Sequence, residues 1–89
     1  MILKEGQQVV YKLKDSNKSV QFVYIMKDID HKNTLIFVKV KSFNNYQKHN
    51  SPILSKDIWK ITEDFLNRNV NEGFIQIGKV IEEVESNGS

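Results

Sequence analysis

The first half of the chain alternates between apolar and polar side chains in three short segments. In residues 7–14, three apolar positions alternate with positions that include two lysines, a pattern typical of a half-buried β-strand. Residues 19–27 are rich in β-branched and aromatic side chains on both faces, which predicts a central strand. Residues 34–43 alternate again, so a third strand is predicted there.

The connections between these segments are short and polar. Residues 15–17 and 28–33 have the composition and length of turns, so consecutive strands are expected to pair as an antiparallel meander. Residues 28–33 also begin like a calcium-binding loop, but Lys32 occupies the third ligand position, where its charge would repel the ion. We therefore interpret this segment as a hairpin turn.

The periodicity changes after a polar loop at residues 44–51. Ser55 has the side chain of an N-cap, and apolar residues then recur at helical spacing: Ile58, Ile61, Phe65 and Leu66. This pattern predicts an amphipathic helix over residues 55–67. Trp59 lies beside the apolar stripe and is expected to pack in the core, with an exposed interface anchor as the alternative.

Residues 74–84 are ambiguous between strand and helix. Alternation at the start of the segment favours a strand, whereas the spacing of apolar residues near its end suits a short helix. We interpret it as a strand with Gly78 at a bulge or bend. Residues 73–80 also match the spacing of a phosphate-binding loop, but the loop interior is apolar and Val80 replaces the hydroxyl that would hold magnesium.

Together these elements predict an α+β domain. A small curved antiparallel sheet would consist of the three-strand meander and the C-terminal strand, with one amphipathic helix packed on it. An SH3-like β-barrel of five short strands is the alternative, if residues 57–62 are extended. Residues 6–13, GQQVVYKL, resemble the first strand of small SH3-like and KOW-type modules. A single compact domain is expected over residues 1–85, with a disordered tail at 86–89.

Composition narrows the chemistry. The 89 residues include no cysteine, which excludes disulfides, thiolate catalysis and cysteine-bound zinc. His31 and His49 lack further strong ligands at suitable spacing, so no metal or other cofactor is predicted. No catalytic-triad pattern is present, and a non-enzymatic function is expected.

Location and source are indicated only by general features. No apolar run approaches the roughly 18 residues of a membrane-spanning helix, and the N-terminus lacks a signal-peptide pattern, so a cytoplasmic location is expected. Lys, Asn and Ile supply 31 of the 89 residues. Their codons are AT-rich, which indicates an AT-rich genome such as that of a low-GC bacterium or a phage.

Charge is divided unevenly along the chain. Residues 1–49 contain nine lysines and four acids, whereas residues 50–89 contain four basic residues and seven acids. The net charges are +5 and −3, and the basic half is the one predicted to form the sheet. This asymmetry indicates a surface that meets an anionic partner.

The main functional hypothesis rests on two pairs of lysines with i,i+2 spacing, which places each pair on one face of a strand. If the two strands direct those faces to the same side, four ammonium groups line the sheet. Lysines among aromatic rings suit single-stranded nucleic acid or RNA, because charges meet phosphates and rings stack on bases. The candidate binding residues are Lys12, Lys14, Lys39, Lys41, Tyr24, Tyr46 and Lys48.

Other interpretations stay open. The lysines would also suit a solvated face that discourages aggregation between sheet edges. Alternatively, the chain is a protein-binding accessory factor, such as a phage or mobile-element inhibitor of a host enzyme. Its contacts would be an exposed Trp59 or residues 43–50, whose amide and aromatic groups equally suit base edges and protein surfaces. A homodimer is compatible with the small size of the domain.

Overall fold

The computed structural model describes residues 3–81 and contains five strands and two α-helices in that range. In chain order the elements are β1 (Gln7–Lys12), β2 (Ser19–Lys27), β3 (Thr34–Lys39), α1 (Val40–His49), one turn of 3-10 helix (Ser55–Asp57), β4 (Ile58–Thr62), α2 (Glu63–Glu72) and β5 (Ile75–Val80). The expected domain boundary at residue 85 and the expected tail at 86–89 lie outside the described residues.

The strands form one antiparallel sheet in the order β4-β3-β2-β1-β5. Each of the first three strands pairs with its successor in the chain, and β5 returns to pair with β1. The prediction of an α+β fold with a small antiparallel sheet is confirmed, although residues 3–81 contain two α-helices where one was expected. The curvature of the sheet and the SH3-like alternative stay predictions.

One face of the sheet, called here the α2 face, carries the main core. Directly paired residues of antiparallel strands share a face, and the pairs Val9–Phe22 and Tyr24–Phe37 lie on this one. Helix α2 adds Leu66, which is 2% exposed, to the same buried cluster. Burial of these side chains is the main source of stability for the sheet and α2 together.

Trp59 is partly buried and packs against this core, from a strand instead of a helix. It pairs with Phe37 across β3 and β4. Its indole ring stacks on Phe22, with 4.5 Å between ring centroids, and reaches Tyr11 on β1 at 5.1 Å. One side chain therefore links the edge strand β4 to a strand three positions away in the sheet.

Helix α1 packs on the opposite face, called here the α1 face. Phe43 is buried, as are Val23 and Val38 on the strands beneath the helix. This helix corrects two predictions: the third strand ends at Lys39 and does not continue to residue 43, and most of the expected loop at 44–51 is helical. The packing of Phe43 decides the conformation here, because tertiary burial overrides a weak local alternation.

The end of α1 follows ordinary capping rules. Lys48 and His49 lie in the last turn, where cations interact favourably with the helix dipole. Asn50 adopts the left-handed conformation with φ 55°, which asparagine tolerates better than most residues. Pro52 follows two residues later.

The predicted helix over residues 55–67 is wrong in its first half. Residues 58–62 form β4, which pairs with β3, and Trp59 and Ile61 point to the α2 face beside Phe37 and Leu35. The apolar residues there fit the two-residue period of a strand as well as the 3.6-residue period of a helix, because Ile61 belongs to both patterns. Pairing with β3 selects the strand.

Helix α2 begins later than predicted and is capped by Thr62 instead of Ser55. The Thr62 hydroxyl accepts a hydrogen bond from the Phe65 N–H at 3.1 Å, and two acids lie in the first turn, where they suit the helix dipole. Gly73 ends the helix with φ 86°, a conformation that favours glycine.

The interpretation of residues 74–84 as a strand is confirmed over β5, and residues 82–84 lie outside the described part of the chain. Gly78 lies at a bulge, because Ile77 pairs with Val9 whereas Val80 pairs with Gln7. Two residues of β5 therefore face one residue of β1. The hairpin turn at residues 28–33 is also confirmed.

Candidate nucleic-acid interface

The structure does not place the predicted sheet lysines on one face. Lys12 pairs with Ser19 and lies on the α1 face, whereas Lys39 pairs with Phe22 and lies on the α2 face. Lys41 belongs to the first turn of α1. The expected common face is therefore wrong, because the strand ends before Lys41 and the two strands direct their lysines to opposite sides.

The lysines lie instead at one end of the sheet. Strands β1 and β3 are both antiparallel to β2, so both finish where β2 starts. The turn between β1 and β2 and the start of α1 lie at the same end. This region, called here the basic end, carries Lys12, Lys14, Lys18, Lys39 and Lys41.

An open groove of about 600 Å³ lies between the start of β2 and the first turns of α1. Its volume falls within the range of ligand pockets, roughly 300–1,000 Å³. We call it the α1 groove. Its polar lining consists of Ser19, Gln21, Lys39, Lys41, Asn44 and Asn45.

Asp57 holds the β3–α1 junction that forms one wall of this groove. One carboxylate oxygen accepts a hydrogen bond from the Ser42 hydroxyl at 2.6 Å, and the other lies 3.8 Å from the Lys39 ammonium. No side chain caps the first amides of α1, and no acid lies in its first turn. The positive end of the helix dipole therefore adds to the charge of the lysines.

A second groove of about 360 Å³ meets the first at Ser19 and follows the turn between β1 and β2. We call it the turn groove. The Lys14 ammonium lies 4.9 Å from the centre of the Phe74 ring, a favourable cation–π geometry. The Phe74 ring lines this groove together with two lysines, and the polar lining is Lys12, Ser16, Asn17, Lys18 and Ser19.

Tyr24 does not present its ring to solvent. It is 7% exposed and packs edge-on against Phe37, with 5.5 Å between ring centroids. Burial raises the pKa of the Tyr24 hydroxyl above its ordinary value, because the phenolate would lose its hydration. No base can stack on this ring in the described fold.

Tyr46 and Lys48 lie along α1, away from the two grooves. Tyr46 is 47% exposed and lines an apolar groove with Phe43. Because an α-helix rises about 1.5 Å per residue, Tyr46 lies about 9 Å and Lys48 about 12 Å beyond the first residue of α1. The structure therefore brings Lys12, Lys39 and Lys41 into the grooves but not these two side chains.

Sequence reasoning missed Lys18, Gln21 and Phe74 as groove residues. Their positions in the sequence were the available signal. Lys18 directly precedes the second predicted strand, and in an antiparallel pair the start of one strand lies beside the end of the other. Lys18 therefore lies at the same end of the sheet as the residues that follow β1. Phe74 likewise precedes β5. The amide-rich segment 43–50 was recognised, but its helical conformation was not.

The opposite end of the sheet carries charges in mutual contact. The Lys27 ammonium lies 3.0 Å from Glu63, and the Lys60 ammonium lies 3.3 Å from Asp28. The His31 Nδ1 atom lies 3.7 Å from Asp28. We call this region, consisting of Lys27, Asp28, His31, Lys60 and Glu63, the paired end.

Asp28 is the best-connected carboxylate of the paired end. It accepts a hydrogen bond from the Asp30 N–H at 2.8 Å. That bond, and after it the hydrogen bond from Lys60, holds the pKa of Asp28 below its ordinary value, because both stabilise the ionised form. The turn between β2 and β3 is therefore built around an ionised carboxylate.

Metal and membrane features are absent from the described range. Among residues 3–81, no three His, Asp or Glu side chains are placed to hold a metal ion. Neither helix in that range has the length and apolar composition needed to cross a membrane. No protein-family model, curated protein or solved structure matches the chain.

Proposed function

We propose that this protein binds single-stranded nucleic acid, RNA or DNA, at the basic end and catalyses no reaction on it. The observation that carries the proposal is that four lysines line two adjoining grooves, one of which also contains an aromatic ring with a fifth lysine, Lys14, over it. Lysines supply charge for phosphates, and the Phe74 ring supplies a surface for a base once Lys14 moves from the ring to a phosphate.

Charge at the basic end is available to a ligand. In the part of the chain that the structure describes, Lys39 is the one lysine of this end in ion-pair contact with a carboxylate. Within residues 3–81 the other four make no ion pair and carry solvent counterions, although Asp15 lies in the same turn. Binding would release those counterions without first breaking an ion pair of the fold.

The shape of the basic end favours single strands over duplexes. The grooves have volumes of about 600 and 360 Å³, the size of pockets that receive small ligands such as a single nucleotide. A flexible strand can follow both grooves through their meeting point at Ser19. An unpaired base is also free to stack on a side chain.

The test removes two charges from the grooves and, as the control, two from elsewhere. Lys12 and Lys41 line different grooves. Lys32 and Lys79 are exposed and lie away from the basic end, so the double variants K12Q/K41Q and K32Q/K79Q have the same net charge. A short labelled single-stranded RNA and its DNA equivalent are titrated by fluorescence anisotropy between about 50 and 200 mM salt.

We expect the K12Q/K41Q variant to bind more weakly and with a flatter salt dependence. The slope of log K against log salt should fall by about 1.4, because each lost contact with a single-stranded phosphate removes about 0.7. The K32Q/K79Q variant should retain the native slope. No binding by the native protein at low salt, or equal losses in the two variants, would refute the proposal.

The alternative function, a protein-binding accessory factor, would use another surface. Exposed apolar side chains lie on and just before the edge strand β4, where Ile58 and Leu54 are 37% and 53% exposed, and Met26 on β2 is 41% exposed. Apolar side chains grouped on a surface are typical of protein contacts. A stoichiometric protein partner recovered from RNase-treated lysate, together with no oligonucleotide binding, would favour this alternative.

A further inference from the structure

Three carboxamide side chains line the α1 groove: Gln21 comes from β2, and Asn44 and Asn45 come from α1. All three residues are exposed. Within residues 3–81, none of their side chains makes a hydrogen bond to another part of the protein. Their donors and acceptors are therefore available to a ligand in the groove.

We infer that the α1 groove selects adenine within the bound single strand, and this inference rests on the proposed function. A carboxamide carries a donor and an acceptor side by side. At the edge of the base that carries N7, adenine presents the complementary pair, the N6 amino group and the N7 acceptor, whereas guanine presents two acceptors there. Asn and Gln bind the adenine pair through two hydrogen bonds, so the selection of adenine is specific to recognition at this edge. The lysines of the groove cannot favour adenine in this way, because an ammonium group only donates and cannot accept a hydrogen bond from the N6 amino group.

The elements that carry the amides are well fixed. Gln21 lies on β2, which has a neighbouring strand on both sides. Asn44 and Asn45 follow Ser42 by two and three residues on α1, and Ser42 is bonded to Asp57 at 2.6 Å. The backbones that carry the amides are therefore positioned before a ligand binds, and only the amide side chains need to be ordered on binding.

Guanine is the competing base. Lysine donates to its O6 and N7 acceptors, so a groove governed by Lys39 and Lys41 would favour guanine instead. Lys39 already contacts Asp57, and phosphates on the same strand compete for Lys41. These contacts leave the three carboxamides as the groups that distinguish bases.

The test varies one base in an otherwise uniform strand. Short oligouridylates with A, G, C or U at the central position are titrated with the native protein by fluorescence anisotropy at two salt concentrations. A fifth oligonucleotide carries 7-deazaadenine, which keeps the charge and the stacking surface of adenine but lacks the N7 acceptor. We expect the A-containing strand to bind at least about fivefold more tightly than the U strand, and 7-deazaadenine to lose most of that advantage.

A matched pair of variants locates the preference. N44A/N45A removes two carboxamides from α1, and N67A/N71A removes two exposed carboxamides from α2. Both replacements raise helix propensity similarly, so effects on folding are matched. The first should reduce the preference for adenine to less than twofold and keep the salt slope, and the second should keep both.

The outcomes separate the inference from the proposed function. If all central bases bind equally, if guanine binds most tightly, or if the 7-deaza strand binds like adenine, the adenine inference is overturned while nucleic-acid binding stands. If none of the strands binds at low salt, both are overturned. Loss of the preference in N67A/N71A as well as in N44A/N45A would also overturn the assignment to the α1 groove.

Discussion

Lysines lie at both ends of the sheet, but they have different neighbours. At the paired end, Lys27 and Lys60 lie 3.0 and 3.3 Å from carboxylates. At the basic end, the described residues place one lysine in such a contact, Lys39 with Asp57 at 3.8 Å. The same residue type therefore takes part in the fold at one end and faces solvent at the other. The lysines of the basic end that make no ion pair within residues 3–81 are therefore available to an anionic ligand.

The two ends also differ in what holds them together. The basic end rests on an aromatic cluster in which Trp59 contacts Phe22, Tyr11 and Phe65, with ring centroids 4.5, 5.1 and 6.3 Å apart. The paired end adds ion pairs and the hydrogen-bonded Asp28 turn. Packing is insensitive to salt, whereas exposed ion pairs are screened. The basic end can therefore lose or gain counterions without losing its shape.

Removing Trp59 should have the largest effect, because it removes the support of the basic end. We expect W59A to lower the free energy of unfolding by about 3 kcal/mol, measured by urea denaturation. I29A is the control, since Ile29 lies in the turn of the paired end and is 83% exposed; its loss should stay below about 0.5 kcal/mol. A loss below about 1 kcal/mol for W59A would contradict the importance of the aromatic cluster.

The charge of Asp28 should affect the pH dependence of stability. Its pKa is lower in the folded protein than its ordinary value of 3.8, so its contribution is present above that value and is lost as the pH falls through the folded pKa. We expect D28N to be less stable than the native protein at neutral pH and to lose less stability on acidification.

The comparison for Asp28 is made by urea denaturation at pH values from neutral to about 3. The difference between the native and variant curves should shrink as the pH falls below about 4, because protonation of the Asp28 carboxyl removes the charge that its contacts stabilise. Parallel curves would show that the contacts of Asp28 with Asp30 and Lys60 do not stabilise the charged form in solution.

The exposed ion pair of the paired end should have the smallest effect. The Lys27 and Glu63 side chains are 60% and 38% exposed, and pairs of this kind contribute about 0.5 kcal/mol or less. A double-mutant cycle with K27Q and E63Q should give a coupling of that size, which disappears at high salt. Oligonucleotide affinity of K27Q should fall far less than that of K12Q/K41Q, and an equal fall would contradict the distinction between the ends.

Much of the sheet was predictable from local sequence. The segment 19–27 matches β2, because β-branched and aromatic side chains on both faces suit a strand with neighbours on both sides. The C-terminal strand and its bulge at Gly78 follow from alternation interrupted by a glycine. These features depend on the backbone and on nearest neighbours in the sequence.

The remaining elements depend on distant contacts. Residues 58–62 satisfy both strand and helix periods, and the pairing of Trp59 with Phe37 decides between them. Alternation continues past Lys39, yet the burial of Phe43 turns the chain into a helix there. No local pattern reveals such packing, so both boundaries were misplaced.

The candidate site was only partly predictable, because its geometry depends on where β3 ends, and distant contacts decide that boundary. Spacing of two residues correctly indicates that side chains share a face of a strand, but it does not indicate where the strand ends. A boundary four residues earlier than expected transfers Lys41 from the sheet to α1. The lysines still meet, because strand ends and turns gather at one end of an antiparallel sheet. The clustering of charge was therefore predictable, whereas its geometry was not.

The most direct test of the account is an NMR titration of the isotopically labelled native protein with a short single-stranded RNA at low salt. The account predicts shifts of backbone amide signals concentrated at residues 12–21, 39–45 and 73–74, which line the two grooves, with the turn at 28–33 unchanged. Shifts centred on residues 28–33, or no shifts at any RNA concentration, would contradict the assignment of nucleic-acid binding to the basic end.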